Sequence, residues 1–120
     1  MTNESMVIIQ KTYDMIQYGY ICLQQFPKTE KHTMAADIKN SMYTILKLLI
    51  AASKKYHKKT TLQEIDIELQ FIKIMVRLAS ELKNSPTGSP FLSLKKYENW
   101  SKQLNEIGRM LGKWIQNTKN

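Results

Sequence analysis

The sequence predicts an all-α domain folded as an antiparallel four-helix bundle. Three observations carry that expectation. Apolar residues recur at steps of three and four along four stretches of about 20–25 residues each. The chain has only four glycines and three prolines, and every proline falls between the stretches. No stretch alternates apolar and polar residues as a half-buried strand does. Short connections make neighbouring helices antiparallel. The length of 120 residues predicts one domain spanning residues 1–120.

The first segment runs from about Met6 to Phe26, with Ile9, Tyr13, Ile16, Tyr20, Leu23 and Phe26 as its apolar stripe. Pro27 stops it, because proline drives the residue before it out of the α conformation. The second runs from about Thr33 to Tyr56, with Ile38, Met42, Ile45, Leu49 and Tyr56 on one face. It ends in Lys54-Lys55-Tyr56-His57-Lys58-Lys59, where cations suit the negative end of a helix. The third opens on Thr61-Leu62-Gln63-Glu64, which matches the capping box, and continues to about Lys83. It carries two stripes. Leu62, Ile65, Leu69, Ile72, Val76 and Ala79 form one; Ile67, Phe71, Ile74 and Leu78 form the other. A helix with two apolar stripes must bury both. The second stripe is therefore a candidate oligomer interface. Asn84–Pro90 reads as a loop by composition.

The fourth segment, from about Ser93 to Asn117, has Tyr97, Trp100, Leu104, Ile107, Leu111 and Trp114 on its apolar face. Within it stand Gly108 and Gly112, each costing about 1 kcal/mol relative to alanine in a helix interior. Close approach of another backbone to their flat face would offset that cost, which makes Gly108 and Gly112 further candidate interface residues. Glu106, Arg109 and Lys113 interrupt the apolar run, so the segment is not a membrane helix.

Eighteen basic residues stand against ten acidic ones, a net charge of +8, and that excess points to a polyanionic partner, nucleic acid first. Residues 1–60 hold nine basic and four acidic side chains and residues 61–120 nine and six, so no basic tail exists and folding or assembly must build the surface. Candidate nucleic-acid contacts are Lys54, Lys55, Lys58 and Lys59 around Tyr56, then Lys73 and Arg77 one turn apart, then Lys95, Lys102 and Arg109 at seven-residue steps with Lys113 one turn on. Arg77 and Arg109 have a second reading, as structural arginines that pair with Asp66, Glu68 or Glu106 across an interface.

No catalytic constellation stands out, and none is expected. His32 and His57 are isolated, without the spacing of helical metal sites, so neither a metal nor a cofactor is expected. Cys22 is alone, which excludes an internal disulfide framework, fits a reducing cytoplasm and reads as a small buried hydrophobe. No apolar run is long enough to cross a membrane, and Met1–Ser5 lacks the basic flank of a secretory signal.

Several motifs then carry a resemblance over about residues 8–117. They are Phe26-Pro27-Lys28-Thr29-Glu30-Lys31, then Leu62-x-x-Ile65-Asp66-x-x-Leu69 with Lys73 and Arg77-Leu78-Ala79, then Glu106-Ile107-Gly108-Arg109-Met110-Leu111-Gly112-x-Trp114-Ile115. The chain resembles the accessory variability determinant (Avd) proteins of diversity-generating retroelements. These share a four-helix family with proteins encoded in intervening sequences of bacterial large-subunit ribosomal RNA genes. The Phe-Pro-Lys feature is common to both branches, whereas the Glu-Ile-Gly-Arg-x-Leu-Gly ending is that of Avd. Lys113 departs from it, standing where Avd proteins often have a second consecutive glycine, and leaves the Gly108–Gly112 face intact. The resemblance implies a barrel-shaped homopentamer that is not itself a polymerase. It also implies a reverse transcriptase as partner, and RNA or DNA bound during mutagenic retrohoming. The alternatives are a ribosomal intervening-sequence protein and a structural adaptor without a polymerase partner.

Overall fold

Among the described residues, four helices account for most of the chain: α1 (Asn3–Leu23), α2 (Met34–Lys54), α3 (Lys59–Glu81) and α4 (Leu94–Gln116). The structure is a computed structural model that describes residues 3–85 and 87–119. Met1 and Thr2, Asn120 and the loop residue Pro86 lie outside the described residues. Each helix folds back on the last, and α4 closes the bundle against α1. α2 and α4 both lie between α1 and α3, so α1 and α3 sit on a diagonal. The bundle measures 52 × 24 × 19 Å.

The expected stripes of α2 and α4 and the first stripe of α3 form the core. Ile38, Met42, Ile45 and Leu49 are buried, as are Leu62, Ile65, Leu69, Ile72, Val76 and Ala79, and Trp100, Leu104, Ile107, Leu111 and Trp114. Tyr56 is a correction. It lies beyond the end of α2, where the backbone turns extended at Lys55, and it is 79 % exposed.

α1 corrects the expected stripe as well. Its buried side is Ser5, Ile8, Thr12, Met15, Gly19, Cys22 and Leu23. Ile9, Ile16 and Tyr20 pack only on the margin of the core and Tyr13 is exposed. Around Met15 and Gly19 the reason is Trp100, which lies fully buried against α1 and donates its indole N–H to Met15 Sδ at 3.3 Å. A Cβ on Gly19 would sit 2.9 Å from both Trp100 Cζ2 and Met42 Sδ. A small residue must face the ring there. Thr12, on the same face, satisfies its buried hydroxyl by donating to the Ile8 carbonyl at 2.8 Å.

The ends of the helices explain the connections. Lys31 Nζ donates to the carbonyls of Leu23 and Gln24 at 3.1 and 3.2 Å, so the lysine that closes the Phe26–Lys31 junction caps the C-terminus of α1. Between α1 and α2 lies a 3-10 turn, Lys28–Glu30. The capping box is not formed. α3 starts at Lys59, two residues early, with Lys58 at the cap position and no side-chain cap. Thr61 is instead buried inside the first turn, where its hydroxyl accepts from Lys55 Nζ at 3.2 Å. Ser93 does cap α4, accepting from the Lys96 N–H. The α3–α4 loop closes through Asn84 N–H to the Ser89 carbonyl at 2.7 Å, with Gly88 at φ 77° supplying the left-handed turn.

Candidate nucleic-acid interface

The expected cations gather in three places rather than one. The first is an end of the bundle. The order of the helices brings the N-termini of α1 and α3 together with the C-termini of α2 and α4. Lys55, Tyr56 and Lys58 there meet Trp114, Asn117, Thr118, Lys119 and Glu4 around an open hollow of about 380 Å³. Lys58 Nζ stands 5.8 Å from the centre of the Trp114 ring. Tyr56 is held by His57, ring centres 4.8 Å apart and planes at 86°. Lys54 ends α2 and Lys59 opens α3, both exposed. Lys113 lies beside this end, sharing a neighbouring hollow with Glu4, Asn3, Val7 and Met110. Lysines thus far outnumber the one glutamate, Glu4, that lines these two hollows.

The second place is the α3–α4 groove, where Lys73 and Arg77 line a recess of about 220 Å³ with Gln70, Ile74, Tyr97, Ser101 and Asn105. The third is the outer side of α4. Lys102 and Arg109 line a shallow hollow of about 530 Å³ with Tyr18, Asn99, Gln103 and Glu106. Lys95 is exposed one heptad earlier on the same helix face.

Within the protomer, and among the described residues, neither arginine pairs with Asp66, Glu68 or Glu106. Arg77 pairs with Glu81 on its own helix at 3.2 Å, and both side chains are exposed. Such a pair contributes little stability. Arg109 is in no ion pair among the described residues, and Glu106 pairs with Lys11 across α1 and α4 at 3.0 Å. Glu68 accepts from the Ser41 hydroxyl of α2 at 2.7 Å.

The second stripe of α3 is on the outside. Ile67, Phe71, Ile74 and Leu78 are 67, 40, 56 and 41 % exposed and point away from the buried stripe. Large apolar side chains repeated along one face mark an interaction surface. The glycines of α4 leave their flat face open within the protomer. No backbone approaches them within the protomer. A Cβ on Gly108 would stand 3.0 Å from Lys73 Nζ and 3.5 Å from Leu69 Cδ2, both side-chain atoms, and one on Gly112 would meet nothing within 4 Å. In an isolated protomer Gly112→Ala should therefore stabilise the helix by about 0.5–1 kcal/mol in a denaturant titration. A loss of stability accompanied by a fall in oligomer mass would instead place Gly112 against another chain.

Cys22 is fully buried, and burial pushes its thiol up to about 11, so it stays protonated at neutral pH and acts as a core side chain. Among the described residues no group of His, Cys, Asp and Glu is arranged to hold a metal ion, and no helix is long and apolar enough to cross a membrane.

Lys119 and Lys11 were not among the residues expected at these sites. Both depend on which helices become neighbours, which local spacing does not encode. A family model described as bAvd-like matches residues 6–118, nearly the whole chain and all four helices. The chain belongs to the bAvd-like family. It is a bacterial Avd-like protein, as the junction and the glycine-bearing ending lead one to expect. No curated protein matches it. In this bAvd-like chain the three basic regions lie outside the packed core, which leaves their lysines and arginines open to a partner.

Proposed function

We propose that the chain is a non-catalytic, cytoplasmic accessory protein of a diversity-generating retroelement. It binds the element's reverse transcriptase together with template RNA or cDNA, and it does so as a homopentamer. The observation that carries this reading is membership of the bAvd-like family over residues 6–118. The charge of +8, displayed at three basic regions outside the core, supports the nucleic-acid half.

Two apolar surfaces support assembly. One is the outer stripe of α3. The other belongs to α1 and α2, where Tyr13, Ile21, Tyr43 and Ile50 are exposed and Tyr20 meets Tyr43 at 6.4 Å between ring centres. A closed ring with more than two members needs two different faces that meet head to tail. α1 and α3 lie on a diagonal of the bundle, so these faces are set apart as such a contact requires. Light scattering should give about five times the mass of the 14.1 kDa chain.

The nucleic-acid half is tested by a salt titration. With five phosphates neutralised, log affinity should fall against log salt with a slope of about −4.5 for duplex DNA and about −3.5 for a single strand. A flat dependence would contradict it.

A further inference from the structure

We propose that the lysine-rich end of the bundle is a single-strand binding site, in which an unpaired base stacks on Tyr56 and the flanking phosphates lie on Lys55, Lys58 and Lys119. The proposal rests on the nucleic-acid half of the function above and assigns it a place and a class of strand.

The argument begins with Tyr56. The residue is 79 % exposed, a poor use of an aromatic side chain unless something covers it. It packs into no core: its ring partner is His57, which holds it edge to face. Tyr56 lines a hollow of about 380 Å³ together with Lys55, Lys58, Lys119, Trp114, Asn117 and Thr118. Trp114 is buried, with Lys58 Nζ over its ring at 5.8 Å from the centre. Among the described residues, Glu4 is the one carboxylate that lines the hollow.

A positively charged recess beside an exposed ring is how proteins hold single strands without reading sequence. In a duplex the bases are already stacked on each other, so the ring would have nothing to receive. The two other basic regions lack this combination. In the α3–α4 groove Tyr97 is half-buried and Arg77 is engaged by Glu81. On the outer side of α4 Tyr18 is half-buried, its hydroxyl accepts from Asn99 at 3.3 Å, and the Lys11–Glu106 pair brings a carboxylate into the hollow.

The test is fluorescence polarisation with labelled oligo(U), oligo(dT) and a hairpin duplex, on the full chain in its native assembly. Tyr56→Ala should weaken binding of the single strands about tenfold, and Tyr56→Phe should restore it, since the stacking face is kept. The double variant Lys58→Gln/Lys119→Gln should make the salt slope shallower by about 1.4, because two fewer phosphates are neutralised. A preference between oligo(U) and oligo(dT) identifies the template RNA or the cDNA strand as occupant. Unchanged binding in Tyr56→Ala, with the loss appearing in Lys102→Gln/Arg109→Gln, overturns the site and leaves the nucleic-acid reading standing. A duplex bound as tightly as the single strands, and equally by Tyr56→Ala, also overturns it. No binding of any probe by the unaltered chain overturns both.

Discussion

Phe71→Glu with Ile74→Glu is expected to break the assembly down to single chains of 14.1 kDa while the helices remain folded. Both side chains point outward from α3, 40 and 56 % exposed, and neither belongs to the core. Substitutions at exposed positions away from special features change protomer stability by only about 0.5 kcal/mol either way. In an assembly they would bury two carboxylates in an apolar contact, a cost of several kcal/mol per unpaired charge. Light scattering reads the mass and circular dichroism the helix content. An assembly that survives the double substitution would show that the outer stripe of α3 is not the subunit contact.

Trp100→Ala is expected to have the largest effect on the protomer, about 3–5 kcal/mol of lost stability. That is a large share of the roughly 5–15 kcal/mol that holds a domain of this kind together. The melting temperature should drop on the order of 10–25 °C. The ring is fully buried, meets Met15 through its N–H, and fills the space that Gly19 leaves open. Gly19→Ala tests the same contact from the other side. An added Cβ would fall 2.9 Å from the rigid indole and from Met42 Sδ, so overpacking of about 1–3 kcal/mol outweighs or cancels the gain of about 1 kcal/mol in helix propensity. A melting temperature unchanged in Trp100→Ala would refute this account of the core.

The same contact shows how far the sequence could be read. α2, α3 and α4 were legible because their core positions are nearly all large and apolar, so the period of the helix stands out. α1 was not. Its core side is Ser5, Thr12 and Gly19 among Ile8, Met15 and Cys22, while Ile9, Tyr13 and Ile16 sit beside or outside it. At Gly19 a small residue faces the core because a tryptophan from α4 occupies the space, and that pairing is a tertiary fact. The start of α3 was hidden for a related reason. Thr61 and Glu64 have the spacing of a cap, but the lysine-rich turn carries helix two residues further back and Thr61 becomes an interior partner of Lys55.

At the basic surface the residue types were legible and their grouping was not. Charge and spacing single out Lys54 to Lys59 and the α4 line. That Lys119 and Trp114 join the first group, and that Glu106 answers Lys11 rather than an arginine, follows from which helix ends meet. The second stripe of α3 was visible as a pattern, and its exposure in the protomer is what keeps it available to another surface.

The most direct test of the central claim is co-purification of this chain with the reverse transcriptase of the retroelement to which the proposal assigns it. Tagged at either protein and passed over a sizing column at micromolar concentration, the two should elute together as one complex. Elution of the reverse transcriptase apart from the bAvd-like chain, with or without template RNA present, would contradict the claim that this protein is its accessory.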